Sequence, residues 1–125
     1  MKKITAIIVE DSRLARNELK DLLKEIPEVE IIAEAENADV AFELISSQNP
    51  DLIFLDIQLP GKDGFQLLEM LENVPMVVFT TAFDEFAIKS FEYNTLDYWM
   101  KTINSKILSQ AKKKVKLKLD EKTEK

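Results

Sequence analysis

The most informative segment of the sequence lies near its centre and reads Leu52-Ile53-Phe54-Leu55-Asp56, four apolar residues followed by a carboxylate. A short, unbroken apolar run of this kind is typical of a strand that is buried on both faces, as in a parallel sheet. Pro50 precedes the run and Pro60-Gly61 follows it, so residues that favour turns bound the segment on both sides. We therefore predict a buried strand whose last residue places a carboxylate at one edge of a sheet.

Four further apolar runs predict strands, and segments with helical spacing of apolar residues separate them. The strands are expected at residues 4–9, 29–33, 76–79 and 96–100, and the helices at 12–26, 40–45, 65–71, 86–91 and 103–119. Strands that alternate with helices predict an α/β fold, with a doubly wound, five-stranded parallel sheet and five helices that cover both of its faces. Ligands of such sheets bind at the carboxyl ends of the strands, so the residues that follow the strands are candidates for function.

Length and composition limit the chemistry that is possible. The chain has 125 residues, enough for one domain with its own core, and it contains no Cys and no His. Thiolate nucleophiles, Cys/His zinc sites and Ser-His-Asp catalysis are therefore excluded, and a bound metal would need oxygen ligands. No apolar run approaches the roughly 20 residues of a membrane span. Because the first residues also lack the cleavage pattern of a signal peptide, we expect a cytoplasmic protein.

Charge is divided unevenly along the chain. Residues 1–100 hold 8 Lys and Arg against 20 Asp and Glu, a net −12, whereas residues 101–125 hold 9 against 3, a net +6. The acidic body disfavours direct binding to nucleic acid, and we interpret the basic end as the exposed face of one helix. We expect one domain at residues 1–119, followed by a charged tail at residues 120–125 that begins a linker.

Polar residues follow four of the predicted strands where each strand ends. Glu10-Asp11 follow the first strand, Asp56 the third, Thr80-Thr81 the fourth and Lys101 the fifth. In a flavodoxin-like strand order of 2-1-3-4-5, the first and third strands are neighbours, so three carboxylates would meet at one edge. Such a cluster needs a cation, and its oxygen ligands suit Mg²⁺. The hydroxyl and ammonium groups on the next strands would complete a site for a phosphoryl group, with a carboxylate as a possible nucleophile.

Each of these residues also has a simpler structural explanation. An acidic residue after a strand usually caps a helix or is solvated, a lone Lys usually lies on the surface, and a lone Thr usually belongs to a turn. The functional hypothesis depends on their joint placement at strand ends. Gly61 and Gly64 are the only glycines, and the sequence contains no glycine-rich nucleotide loop, so we expect no binding of ATP or NAD.

Four motifs resemble the receiver domain of bacterial two-component response regulators, over residues 3–118. They are Ile7-Ile8-Val9-Glu10-Asp11, the segment from Pro50 to Gly64, Phe79-Thr80-Thr81-Ala82, and Asp97-Tyr98-Trp99-Met100-Lys101. The residues at 11–16 and 80–92 are similar to receivers of the LytTR (LytR/AlgR-type) subfamily, which regulate transcription through a C-terminal DNA-binding domain. Because that domain is not among these 125 residues, we expect no direct DNA binding by them.

The resemblance implies a phosphoacceptor and a metal site. Asp56 would accept a phosphoryl group from a sensor histidine kinase. Mg²⁺ would be held by Asp11 directly, by Glu10 through water, by Asp56, and by the backbone carbonyl of Gln58. The protein would not be an enzyme beyond slow self-catalysed phosphorylation and dephosphorylation.

The resemblance also implies a switch. Lys101 would contact the phosphoryl oxygens, and the hydroxyl of Thr81, with Thr80 as second choice, would move towards them. Tyr98 would change rotamer together with Thr81. The altered face, formed by the fourth predicted helix and the fifth strand, would control an output domain or effector protein, or a homodimer formed through these elements and the last helix.

The sequence departs from the family pattern after Lys101, where Thr102 replaces the usual Pro. A cis peptide before a non-proline residue costs about 2.5–4 kcal/mol, so a trans peptide is expected. This departure leaves open a pseudo-receiver that only binds other proteins. A small Mg²⁺-dependent phosphohydrolase is a further alternative, although Gln58 stands where such enzymes carry a second Asp. Trp99 is bulkier than the usual residue, and we interpret it as part of the core.

Overall fold

The structure, a computed structural model, describes residues 3–82, 95–101, 103 and 105–123. Along these ranges the elements are β1 (Ile4–Val9), α1 (Arg13–Leu23), β2 (Val29–Ala35), α2 (Ala38–Gln48), β3 (Leu52–Asp56), α3 (Gly64–Met70), β4 (Met76–Thr81), β5 (Thr95–Met100) and α4 (Ser105–Thr123). The predicted helix at residues 86–91 lies outside the described residues, and so does Thr102.

The five strands form one parallel sheet in the order β2-β1-β3-β4-β5, which confirms the predicted fold. Every residue of β3 is buried, as expected for the central strand of a sheet covered on both faces. β5 lies at the edge of the sheet, next to β4. Because all five strands run in the same direction, their carboxyl ends share one edge of the sheet, called the carboxyl edge below.

Short polar side chains begin three of the helices, so the connections into the helices have defined geometry. The Ser12 hydroxyl accepts a hydrogen bond from the backbone N–H of Ala15 at 3.2 Å, and Asn37 Oδ1 accepts one from the N–H of Val40 at 2.8 Å. Asp63 and Gln66 form a reciprocal capping box at the start of α3. These caps fix where each helix leaves the carboxyl edge.

Two apolar cores pack on the two faces of the sheet. Alternate residues of the strands meet α1 and α4 on one face, with Leu19, Leu108 and Ala111 among the buried residues. The intervening residues meet α2 and α3 on the other face. Trp99 is 2% exposed, and its ring packs against that of Phe54 with 5.5 Å between centroids, which confirms its interpretation as a core residue.

β5 and α4 are joined by a polar contact beside the Trp99 ring. The indole N–H donates to Asp97 Oδ2 at 2.9 Å, and Lys114 Nζ lies 3.2 Å from Asp97 Oδ1. α4 continues to Thr123, and the domain boundary at residue 119 stays a prediction. Among the residues that the structure describes, none of the helices has the length and apolar character needed to cross a membrane.

Candidate phosphoacceptor and metal site

Three carboxylates converge at the carboxyl edge of the sheet. Glu10 and Asp11 follow β1 and Asp56 ends β3, and because these strands are neighbours, one oxygen from each residue lies within 4.8 Å of the others. Glu10 and Asp56 are buried, with 4% and 5% of their surface exposed, whereas Asp11 is exposed. The strand order therefore produces the predicted acidic cluster.

Backbone amides hold two of the carboxylates in place. Glu10 Oε2 accepts a hydrogen bond from the N–H of Ser12 at 2.9 Å, and Asp56 Oδ1 accepts one from the N–H of Gln58 at 3.1 Å. In both cases the donor lies two residues further along the chain, in the turn that leaves the strand. The N–H of Glu10 itself donates to Ala35 O at 3.0 Å and continues the sheet pairing to β2. The buried acids therefore have a defined orientation.

Lys101 links two of the three acids. Its Nζ lies 2.6 Å from Glu10 Oε1 and 3.3 Å from Asp56 Oδ2. Burial acts to lower the pKa of Lys101, but the hydrogen bond to Glu10 and the charges of Asp56 and Glu10 outweigh it, so the pKa is raised overall. The ammonium group therefore stays charged. Its backbone N–H also donates to Thr81 O at 2.7 Å, which places Lys101 beside the end of β4.

The pKa of Asp11 is affected by its neighbours in the acidic cluster. The pKa of its carboxyl is raised, chiefly by the side-chain hydrogen bond with Glu10, and further by burial and by the charge of Glu10. Three carboxylates that lie this close together gain stability from a cation. Because the donors are oxygens only, the set fits a hard ion such as Mg²⁺.

The predicted switch residues occupy neighbouring positions on β4 and β5. Thr81 is fully buried and pairs in register with Met100, immediately before Lys101. Tyr98 pairs in register with Phe79, and the two rings lie 6.1 Å apart between centroids. Thr80 is the register partner of Asp56 and lines an open pocket of about 190 Å³ together with Glu10 and Lys101. By position, both threonines remain candidates for the switch hydroxyl.

Gln58 contributes to the site through its backbone. Its N–H donates to Asp56 Oδ1, and the residue is exposed. The predicted role of its carbonyl as a metal ligand stays a prediction.

Gly64, at the start of α3, supports the strand end that carries Asp56. Its N–H donates to Ile57 O at 2.7 Å, and an added Cβ would lie 2.8 Å from the backbone oxygen of Asp56 and 3.0 Å from Ile57 Cα. Both neighbours are backbone atoms, so they cannot move aside cheaply. Glycine is therefore required here by close approach of two backbone segments.

We predict that Gly64→Ala lowers the free energy of unfolding by about 3 kcal/mol, because the added methyl group displaces the end of β3. Gly61→Ala is the matched control, since an added Cβ there meets nothing within 4 Å and only the positive φ of 78° opposes it. That strain should cost about 1 kcal/mol. Urea denaturation of both variants measures the difference, and equal losses would contradict the importance of the close approach.

Sequence reasoning missed Arg16, on the first turn of α1. Its Nη1 donates to the backbone oxygen of Glu10 at 2.7 Å and to that of Asp11 at 3.3 Å, and its Nε lies 3.1 Å from Glu34 Oε1. Lys20 Nζ lies 2.8 Å from the other Glu34 oxygen, and its hydrogen bond is the chief cause of a lowered pKa at Glu34. An Arg five residues after an acidic pair is the only sequence signal for this contact.

The protein has a doubly wound parallel sheet, with an acidic cluster and a lysine at the carboxyl edge. These features define a class of α/β domains that bind ligands at that edge. Residues 6–113 match the family model of the response regulator receiver domain. The chain belongs to the response regulator receiver family, as the sequence motifs predicted.

Relatives and solved structures agree with this assignment. An uncharacterized response regulatory protein of Shewanella oneidensis is 44% identical over 115 residues, which cover 90% of this chain and 49% of that protein. The sensory transduction protein LytT of Bacillus subtilis is 41% identical over 116 residues, which cover 90% of this chain and 48% of LytT. The chain therefore spans about half the length of these relatives, and the LytT matches agree with the predicted LytTR-type grouping.

Among solved structures, the response regulatory domain of protein mrkE from Klebsiella pneumoniae superposes with a TM-score of 0.84 at 29% identity, covering 94% of this chain and 99% of that one. The REC domain of AraT from Geobacillus stearothermophilus gives a TM-score of 0.82 at 26% identity, covering 96% and 98%. The shared fold extends over nearly the whole of both chains.

Proposed function

We propose that Asp56 accepts a phosphoryl group from a sensor histidine kinase and that the modified domain then controls an output domain or partner, as in LytTR-type transcriptional regulation. The observation that carries the proposal is the position of Asp56: a buried carboxylate between a lysine ammonium and two further carboxylates, at the carboxyl edge of the sheet. The domain acts as a phosphoacceptor and does not turn over a free substrate.

In the proposed reaction, an oxygen of the Asp56 carboxylate attacks phosphorus and forms an acyl phosphate. The bond from phosphorus to the imidazole nitrogen of the kinase breaks, and its electron pair leaves with that nitrogen. Lys101, whose raised pKa keeps it charged, lies within reach of Asp56 and can balance the charge on the phosphoryl oxygens. The backbone N–H of Gln58 holds the attacking carboxylate in place.

Glu10, Asp11, Asp56 and the backbone carbonyl of Gln58 would hold Mg²⁺, and their oxygens fit this ion. When bound, Mg²⁺ would neutralise and orient the oxygens of the transferred group. The convergence of one oxygen from each of the three carboxylates within 4.8 Å supports the assignment, because a cation would offset their mutual repulsion.

The switch is proposed to follow from the new charge at Asp56. The hydroxyl of Thr81, at the buried end of β4, would move to a phosphoryl oxygen, and the Tyr98 ring would change rotamer with it. The backbone contact between Lys101 and Thr81 supports coupling, since it joins β5 to β4 beside the acidic cluster. The partner surface would include β5, α4 and the segment at residues 86–91.

Mass spectrometry tests this proposal directly. The protein is incubated with a small acyl phosphate in the presence of Mg²⁺ or of a chelator, and the modified peptide is then mapped. We expect one phosphoryl group per chain on Asp56 with Mg²⁺, and little or none with the chelator. Modification elsewhere, or equal uptake without Mg²⁺, would contradict the proposal. If a separate titration shows Mg²⁺ binding but no phosphoryl group is taken up, a pseudo-receiver is favoured. If a phosphate ester is supplied instead and phosphate is released steadily, a phosphohydrolase is favoured.

A further inference from the structure

Arg16 connects the loop of the acidic cluster to a strand of the sheet. Its guanidinium contacts the backbone oxygens of Glu10 and Asp11 with Nη1 and the Glu34 carboxylate, on β2, with Nε. The side chain is 15% exposed, so it is held between the loop and the strand rather than extended into solvent. Two of the three carboxylates of the cluster therefore lie on a loop whose backbone is tethered through one side chain.

We propose that Arg16, held by Glu34, is a positioning residue for cation binding at the acidic cluster. This inference rests on the proposed function in one respect, namely that Mg²⁺ binds to Glu10, Asp11 and Asp56. By fixing the backbone of the β1–α1 loop, Arg16 keeps the Glu10 and Asp11 side chains close to Asp56 before the ion arrives. Mg²⁺ tolerates little departure from its preferred ligand geometry, so such preorganisation contributes to affinity.

The contact is suited to positioning because Arg16 uses backbone oxygens of the loop and leaves the carboxylates to bind the ion. A guanidinium presents several N–H donors in a rigid plane, so different nitrogens can hold the loop and Glu34 at the same time. The ammonium of a lysine is a compact point charge and cannot span the same three acceptors. The structure therefore requires an arginine, and not merely a positive charge, at this position.

The sign of the effect separates positioning from simple electrostatics. Arg16 carries a positive charge next to the proposed cation site, and by Coulomb's law this charge disfavours the binding of Mg²⁺. If Arg16 acted through its charge alone, its removal would strengthen Mg²⁺ binding. If it positions the loop, its removal weakens Mg²⁺ binding. The two explanations predict changes in opposite directions.

The test compares Arg16→Met with Lys20→Met by isothermal titration calorimetry with Mg²⁺. Lys20 is a matched control because it lies one turn further along α1 and pairs with Glu34, whereas Arg16 contacts both Glu34 and the loop. We expect Arg16→Met to weaken Mg²⁺ binding about tenfold, and Lys20→Met to leave it within about twofold of the wild type. Because the defect is one of affinity, the rate of phosphoryl uptake in Arg16→Met should recover at saturating Mg²⁺.

Arg16→Lys is the second variant. It keeps the positive charge, and it shows whether a loss of affinity in Arg16→Met is due to misfolding caused by the methionine. It should weaken Mg²⁺ binding at least as much as Arg16→Met, because lysine keeps the unfavourable charge but cannot span the three acceptors. Unchanged or tighter binding in Arg16→Met, or equal weakening in Lys20→Met, overturns the positioning role. A failure of the wild type to bind Mg²⁺ overturns the metal site itself. Because the wild type is measured before any variant, failure of the metal site is distinguishable from failure of the positioning role.

Discussion

Asp56→Asn is expected to abolish phosphoryl uptake while the domain remains folded. The substitution is nearly isosteric, and the amide oxygen can still accept the hydrogen bond that Gln58 N–H donates to Asp56 at 3.1 Å. An amide, however, has no negative oxygen with which to attack phosphorus. Lys101 pairs with both Glu10 and Asp56, so the loss of the Asp56 charge leaves the ammonium group paired with Glu10, at 2.6 Å. We expect no phosphoryl group by intact-mass spectrometry at any Mg²⁺ concentration.

Asp63→Asn provides the matched control for this experiment. Asp63 lies on the same β3–α3 connection and caps α3, a role that asparagine performs equally well. The control therefore removes one negative charge from the β3–α3 connection without removing the proposed nucleophile, and it should take up phosphoryl like the wild type. Uptake in Asp56→Asn at the wild-type rate would mean that another residue accepts the group. Loss of uptake in both variants would point to charge around the site and away from Asp56.

The architecture and the acidic cluster could be predicted because both follow from local patterns. Buried parallel strands appear as unbroken apolar runs, and the residue after each run lies at the carboxyl edge whatever the tertiary details. Asp56 at the end of β3 and Glu10 after β1 are cases of this rule. Strand order brings them together, and the family resemblance implied that order.

The position of Lys101 at the carboxyl edge was predicted, but the individual contacts within the site depend on packing between distant segments, which a single sequence does not encode locally. Lys101 lies 91 residues from Glu10, and Arg16 lies 18 residues from Glu34. The close approach of Gly64 to Asp56 O depends on how α3 packs beneath β3. The sequence leaves open whether Thr80 or Thr81 supplies the switch hydroxyl, because the predicted end of a strand can move by one residue without any change in the apolar pattern.

Lys101→Met is expected to slow phosphoryl uptake about 100-fold at saturating Mg²⁺, because it removes a preorganised positive charge beside the reacting oxygens. The same change should strengthen Mg²⁺ binding, since the ammonium group at 2.6 Å from Glu10 and 3.3 Å from Asp56 competes for the oxygens that would hold the ion. Mg²⁺ should accordingly raise the melting temperature of the variant more than that of the wild type. Uptake rates come from intact-mass spectrometry, and ion binding from melting curves with and without Mg²⁺.

Lys114→Met serves as the control, because Lys114 also pairs with an acid, Asp97, but lies on α4 beside the Trp99 ring and away from the acidic cluster. It should leave both uptake and Mg²⁺ binding close to the wild type. The opposite signs expected for Lys101→Met, slower transfer with tighter metal binding, are specific to a charge that acts on the phosphoryl group. A variant that loses both together would instead place Lys101 among the residues that merely hold Glu10 and Asp56 in position, because a structural tether supports metal binding and phosphoryl transfer alike.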